Sequence, residues 1–125
     1  MRKSLILAAL GGLLVLAAPA NAASVDPAFI AGNPSCAGGT KIEPVTSGTY
    51  AVPGGTVTIT TNEKSFSFTS TVLVTSVLVK GGPAANLYTY PAPGVTGDSG
   101  LVAPNGRGLS HLCFFTDDKK PTDPK

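Results

Sequence analysis

Three side chains near the end of the sequence could take part in acid-base or nucleophilic chemistry. Asp98 and Ser99 lie within the run Gly-Asp-Ser-Gly, and His111 is the only histidine in the chain. A carboxylate, a hydroxyl and an imidazole are the groups that nucleophilic catalysis combines when they converge. Asp98 and His111 are therefore the pair that a small hydrolase would use.

The run at residues 97–100 resembles the nucleophile loop of chymotrypsin-like serine proteases. Enzymes of that family place the histidine before the serine and build the site from two barrels, which needs a much longer chain. Here His111 follows Ser99, and the whole chain has 125 residues. We therefore interpret residues 97–100 as a tight loop in which Asp98 accepts hydrogen bonds from the backbone or from His111, and we expect a non-catalytic protein.

Two tyrosines are candidates for binding. Tyr88 and Tyr90 are two positions apart, so they share one face of a strand, and a tyrosine joins an apolar ring to a polar hydroxyl. They could form a platform for a sugar ring or a protein partner, or they could pack on the sheet edge and bond a loop through their hydroxyls. Together with Asp98 and His111 they form the predicted binding set.

Two cysteines are present, Cys36 and Cys113. An even count in an exported domain predicts a disulfide, which would close nearly the whole domain into one loop. The alternative is a reactive thiol, because His111 and Cys113 would lie on the same face of a strand.

Metal ions, cofactors and polyanions are not expected as partners. The loop oxygens that could bind calcium follow no defined spacing, and one histidine supplies a zinc site poorly; these oxygens belong to Asp98, Asn105, Asp117 and Asp118. The nine basic residues fall to seven if Arg2 and Lys3 are removed, which equals the seven acidic residues. A neutral protein has no long-range field to attract nucleic acid or an acidic membrane.

The first 22 residues predict that the chain is exported. Arg2 and Lys3 precede an apolar run, and small residues at positions 20 and 22 fit cleavage by signal peptidase after Ala22. A membrane anchor is the alternative, but the run is shorter than the roughly 20 residues that span a bilayer. We expect a signal peptide at 1–22, a secreted domain at 23–116 and a disordered polar tail at 117–125.

The rest of the chain predicts an all-β domain. Residues 55–62 and 65–70 alternate polar and apolar side chains, and the polar residues 62–64 between them predict a hairpin turn. Residues 72–80 are nearly all apolar, which favours a central strand covered on both faces. Further strands are expected at 86–90 and 109–116, with a long loop at 95–108. This spacing is typical of an antiparallel β-sandwich, immunoglobulin-like or jelly-roll-like.

The order of several short motifs resembles a pattern in small exported bacterial proteins. The motifs are Val-Lys-Gly-Gly at 79–82, Asn-x-Tyr-x-Tyr at 86–90, Asp-x-Gly-Leu at 98–101 and Gly-Leu-Ser-His at 108–111, followed by Cys113. The resemblance implies a secreted β-sandwich without an assigned activity. We expect an extracellular module that binds a surface, a matrix, a glycan or a partner protein. A self-associating structural component, with residues 86–90 as an exposed edge strand, is the alternative.

Overall fold

The computed structural model describes residues 23–117. The predicted signal peptide and, apart from Asp117, the predicted tail lie outside the described residues. Asp117 itself ends the last strand. The eight strands, all paired antiparallel, are β1 Ala28–Ala31, β2 Thr40–Ile42, β3 Gly48–Val52, β4 Gly55–Thr61, β5 Ser65–Gly81, β6 Ala84–Thr89, β7 Val95–Val102 and β8 His111–Asp117.

The all-β antiparallel fold that the sequence predicts is confirmed, and the finer assignment to a sandwich type stays a prediction. Residues 62–64 form the predicted hairpin turn, because the Asn62 Oδ1 atom accepts hydrogen bonds from the backbone N–H groups of Lys64 and Ser65, both at 2.9 Å. No helix among residues 23–117 has both the length and the hydropathy needed to span a membrane.

The long strand β5 organises the fold. Its N-terminal half, residues 65–70, pairs with β4 on one edge and with β7 on the other. Its C-terminal half, residues 76–81, pairs with β6 and β8. The sequence predicts two separate strands here, but no turn-forming residue separates them, and the chain continues as one strand of 17 residues.

A bend between the two halves of β5 changes which side chains face the core. The pairing register with β7 shifts between Thr69 and Val74, and the register with β8 shifts between Val74 and Ser76. The Ser70 hydroxyl donates to Val72 O at 2.7 Å and accepts from Val72 N at 3.1 Å, so a side chain satisfies backbone groups inside the bend. Because of the shift, both Val74 and Val77 belong to the main core.

Aromatic rings join the two halves of the strand across that core. Phe66 and Phe68 lie in the N-terminal half, and their ring centroids are 6.3 Å and 5.2 Å from that of Phe114 on β8. Phe68 also lies 6.4 Å from Tyr90. Phe114 is fully buried, and burial of a side chain of this size stabilises the folded state by about 1.5–3 kcal/mol.

A second, smaller apolar cluster lies on the opposite face of the C-terminal half and contains Leu78, Ala85 and Cys113. Cys113 forms a disulfide with Cys36, with a Cα–Cα distance of 5.7 Å. The predicted disulfide is thus confirmed, and the alternative of a reactive thiol is wrong, because neither cysteine is free.

Two expectations about edges and loops need correction. Residues 95–102, predicted as part of a loop, form β7. The Gly-Asp-Ser-Gly run fits in this strand because, among the described residues, β7 pairs only with β5 and its pairing register shifts at the run. The segment 86–90, predicted as an exposed edge, is not one along its first part, because β1 pairs with it as far as Leu87.

Candidate functional site

Alternating side chains of β6 extend to β7 and hold it. The Asn86 amide donates to Val102 O at 2.9 Å, and the Tyr88 hydroxyl donates to the same oxygen at 3.2 Å. Val102 N in turn donates to the Tyr88 hydroxyl at 3.1 Å. These bonds satisfy backbone groups at the end of β7, so the asparagine and the first tyrosine of the Asn-x-Tyr-x-Tyr motif hold β7 in place.

The second tyrosine of that motif, Tyr90, contacts the Asp98 carboxylate. The Tyr90 hydroxyl donates to Oδ2 at 2.9 Å, and Ser99 N donates to Oδ1 at 2.9 Å. Ser24 donates from its backbone N at 3.0 and 3.2 Å and from its hydroxyl at 3.1 Å. Two motifs singled out in the sequence therefore meet, and both oxygens of Asp98 are occupied by protein donors.

Burial changes the acidity of both phenols. Desolvation raises the pKa of Tyr90, and the hydrogen bond to Asp98 and its negative charge raise it further. Desolvation also raises the pKa of Tyr88, partly offset by the hydrogen bonds of its hydroxyl with Val102 and its contact with Asn86. Neither phenol can serve as an anion at neutral pH.

Of the two alternatives for the tyrosine pair, an exposed platform or packing with bonded hydroxyls, this geometry supports the second. Tyr88 and Tyr90 are 1% and 5% exposed and belong to the main core. Both rings can be buried because their hydroxyls bond partners on β7, which satisfies the polar tip of each side chain. They offer no ring face to a ligand.

Asp98 and His111 are not brought together. Asp98 pairs with Phe68 in the N-terminal half of β5, whereas His111 pairs with Lys80 near its C-terminal end. His111 is 6% exposed, and burial lowers its pKa; the positive charge of Lys41 also lowers it. Asp98 and His111, the pair considered for catalysis, therefore share no site. The hydrogen bond from His111 to Asp98 that the sequence offered as one alternative is absent among the described residues, and Asp98 accepts bonds from Ser24, Ser99 and Tyr90.

A β-bulge follows Asp98. Phe66 pairs with Leu101 and Phe68 pairs with Asp98, so two residues of β7 lie opposite one residue of β5. Gly100 has a φ of 73°, the left-handed region that glycine adopts without a side-chain clash. The bulge interrupts the ladder where β7 faces the β4–β5 hairpin.

An open groove of about 510 Å³ lies at this bulge. Its volume falls within the roughly 300–1,000 Å³ typical of small-ligand sites. The lining comes from the end of β4, the hairpin turn, the start of β5 and the bulge of β7: Thr60, Thr61, Asn62, Ser65, Phe66, Ser67, Ser99 and Gly100. These residues carry hydroxyls, one amide and one aromatic ring, and no ionisable side chain.

Several polar groups of this groove have no protein partner among residues 23–117. Within the part of the chain that the structure describes, the hydroxyls of Thr60, Ser67 and Ser99 make no hydrogen bond to protein. Asn62 differs, because its Oδ1 atom is held by the hairpin turn while its Nδ2 group, with no protein acceptor among residues 23–117, can donate to a ligand. The groove thus offers both donors and acceptors of hydrogen bonds.

Comparison with protein-family models, curated proteins and solved structures finds no match. The pattern shared with small exported bacterial proteins therefore stays a prediction. In residues 23–117, no three His, Cys, Asp or Glu side chains group in a way that could hold a metal ion. Sequence reasoning missed the groove, because its polar lining residues match no motif and lie in two segments, 60–67 and 99–100, that only the fold brings together.

Proposed function

We propose that the protein is a secreted, non-catalytic binding module that holds a neutral, polyhydroxylated chain, such as a polysaccharide, in the groove at the bulge. The observation that carries the proposal is a groove with partnerless hydroxyls and an amide, and with no ionisable side chain in its lining. Sugar hydroxyls both donate and accept hydrogen bonds, as these groups do.

The charge of the lining argues for a neutral ligand. A phosphorylated or strongly acidic ligand would need cationic or clustered N–H donors, and the lining contains no lysine, arginine or histidine. Phe66 borders the groove, but it is 3% exposed and belongs to the main core. The groove therefore presents polar groups to a ligand.

A non-catalytic role is supported by the contacts of Asp98, which lies beside the groove, as do the exposed residues 63–64 of the hairpin turn. Asp98 precedes the bulge, but its carboxylate accepts bonds from Ser24, Tyr90 and Ser99. A general base must reach the proton that it removes, and a carboxylate with both oxygens engaged in the fold is poorly placed for this. Asp98 therefore shapes the bulge.

Secretion is supported by the basic and apolar start of the sequence and by the Cys36–Cys113 disulfide. Disulfides persist in oxidising compartments outside the cytoplasm. Export would bring the groove into contact with the glycans of surfaces and matrices.

Affinity electrophoresis in gels containing neutral polysaccharides (a glucan, a mannan, a xylan) or the acidic polysaccharide alginate tests the proposal. Ser67→Arg fills the groove with a long side chain, whereas Thr69→Arg adds the same charge two positions along the same face of β5, outside the lining. We expect at least one neutral polysaccharide to retard the wild type and Thr69→Arg equally. Ser67→Arg should bind it about tenfold more weakly, a loss of ~1.4 kcal/mol.

Retardation by alginate alone, or equal effects of the two arginine variants, would contradict the proposal.

Self-association is the second candidate, and one observation favours it. Phe29 on β1 is 64% exposed, and β1 pairs only with β6 among the described strands. Size-exclusion chromatography of the same preparations separates the two candidates, because the binding module needs no oligomer.

A further inference from the structure

The contacts of the first described residues point to a role for the processed N-terminus. Ser24 shares its backbone N–H between both carboxylate oxygens of Asp98, 74 positions away in the sequence, and donates its hydroxyl to the same group. Ala23 and Val25 on either side of it pack against the main core. Chain ends are usually poorly ordered unless such contacts fix them, so this segment is part of the fold.

Asp98 lacks a cationic partner in the described structure. Its four donors are Ser24 N, the Ser24 hydroxyl, Ser99 N and the Tyr90 hydroxyl, and all of them are neutral. The single ion pair among residues 23–117 joins Lys41 and Glu43. A carboxylate with neutral donors still attracts a cation that comes within a few ångströms.

The sequence predicts cleavage after Ala22, which makes Ala23 the first residue of the mature chain. Three covalent bonds separate the nitrogen of Ala23 from the nitrogen of Ser24, so the two atoms lie within about 4 Å of each other. In the precursor that nitrogen belongs to a neutral amide. After cleavage it is an α-amino group, which is mostly protonated at neutral pH.

We propose that Asp98, with Ser24 as its anchor, is the binding site for the α-ammonium group that signal-peptide cleavage creates at Ala23. Cleavage hydrolyses the peptide bond between Ala22 and Ala23 with one water molecule: the leader leaves with a carboxylate at Ala22, and the proton that this carboxyl group loses balances the one that the new amine gains. The mature chain then carries a positive charge beside Asp98 that the precursor lacks. Removal of the leader thereby completes this corner of the fold next to the bulge.

This inference rests on the predicted cleavage position, and it is independent of the ligand proposed for the groove. The expected stabilisation is that of a partly exposed ion pair, which is weaker at high salt. For a domain of this size it corresponds to a shift in Tm of about 2–6 °C.

The test compares three forms of the chain 23–125: one with a free α-amine at Ala23, one with this amine acetylated, and one with an extra glycine before Ala23. In 20 mM NaCl we expect the free amine to have the highest Tm, and the difference to shrink in 500 mM NaCl. In an Asp98→Asn background the three forms should melt together. Sequencing of the exported protein should start at Ala23.

Equal Tm values for the free and acetylated forms of the wild type would overturn the inference, as would a difference that Asp98→Asn leaves unchanged. A mature start at another residue would also overturn it. If Asp98→Asn does not fold, the salt dependence of the acetylation effect in the wild type decides alone, because loss of a hydrogen bond without a charge would not vary with salt in this way. None of these readouts uses a polysaccharide, so they are separate from the test of the groove.

Discussion

The outer faces of the two halves of β5 carry different side chains. On the N-terminal half, Ser67 and Thr69 face outward beside Thr58 and Thr60 of β4, and only the inner face is apolar. On the C-terminal half, Leu78 is buried on the outer face as well, together with Cys113 of the neighbouring strand β8. The same strand is thus buried on one face in its first half and on both faces in its second.

This difference assigns stability to the C-terminal half of β5 and ligand recognition to the N-terminal half. A strand buried on both faces has little freedom to change without loss of packing, and the disulfide lies on this half. A strand with one polar face can carry a bulge and partnerless hydroxyls at low cost, and the groove lies on that half. We therefore expect substitutions in the C-terminal half to reduce stability most, and those at the groove to reduce binding most.

The largest expected effect comes from removal of the disulfide. The double substitution Cys36→Ser and Cys113→Ser releases a constraint over 77 positions, which should reduce the free energy of unfolding by about 4 kcal/mol. Urea denaturation measures this loss. Amide exchange should increase more in β8 and β6 than in β4.

Reduction of the wild type with a thiol reagent is the control and should give a similar loss. A change below about 1 kcal/mol would mean that the C-terminal half does not depend on this link, and the contrast between the two halves would be lost.

An intermediate effect is expected for Tyr90→Phe. The substitution keeps the ring in the core but removes the hydroxyl that bonds Asp98 at 2.9 Å. Loss of one partly buried bond to a charged group should cost about 1.5–3 kcal/mol. Chemical denaturation gives the value, and Tyr50→Phe is a matched control because the Tyr50 hydroxyl bonds Thr46 at an exposed position.

We expect the control to change stability by a few tenths of a kcal/mol. If both tyrosine variants lose equally little, Asp98 does not depend on Tyr90, and the link between the core and the bulge is weaker than the geometry indicates.

The smallest effect is a pH dependence from His111. Burial lowers its pKa in the folded state below the usual value of 6.5, so the folded protein binds this proton less readily than the unfolded chain. The contribution to stability is fully present above pH ~6.5 and is lost as the pH falls toward the folded-state pKa. Thermal melts of wild type and His111→Gln between pH 8 and pH 5.5 should therefore show a steeper loss on acidification in the wild type.

Parallel pH profiles of the two proteins would show that His111 is not desolvated in solution. A steeper loss in His111→Gln would reverse the expected sign. Either result would contradict the burial of His111 on the C-terminal half.

Much of the sheet could be predicted because, in some segments, polar and apolar side chains alternate with the period of two that a strand requires. The alternation at Val57 and Ile59 and the turn at Asn62 are local signals, and the structure confirms the hairpin. The strand β7 could not be predicted, because glycine, aspartate and serine at 97–100 favour turns, and only pairing with β5 holds them in a strand with a bulge. Tertiary contacts outweigh local preference there.

The candidate site was predictable only in part. A period of two correctly places Tyr88 and Tyr90 on one face, but an exposed platform and a buried pair have the same period. What decides between them is the pair of acceptors on β7, Asp98 and Val102, which lie in the segment predicted as a loop. The groove gives no sequence signal, since Thr60 and Ser99 become neighbours only after the bulge forms.

The Cys36–Cys113 link also determines how the protein would respond to pulling. Tension applied at Ala23 and at Asp117 would pass through the covalent bond, so the chain between the two cysteines would bear no load. Only the short segments outside the link could extend, and on the N-terminal side these contain β1 and the Ser24 contacts with Asp98. A module held between two surfaces would therefore carry its groove, whose residues lie between the two cysteines in the sequence, outside the path of the force.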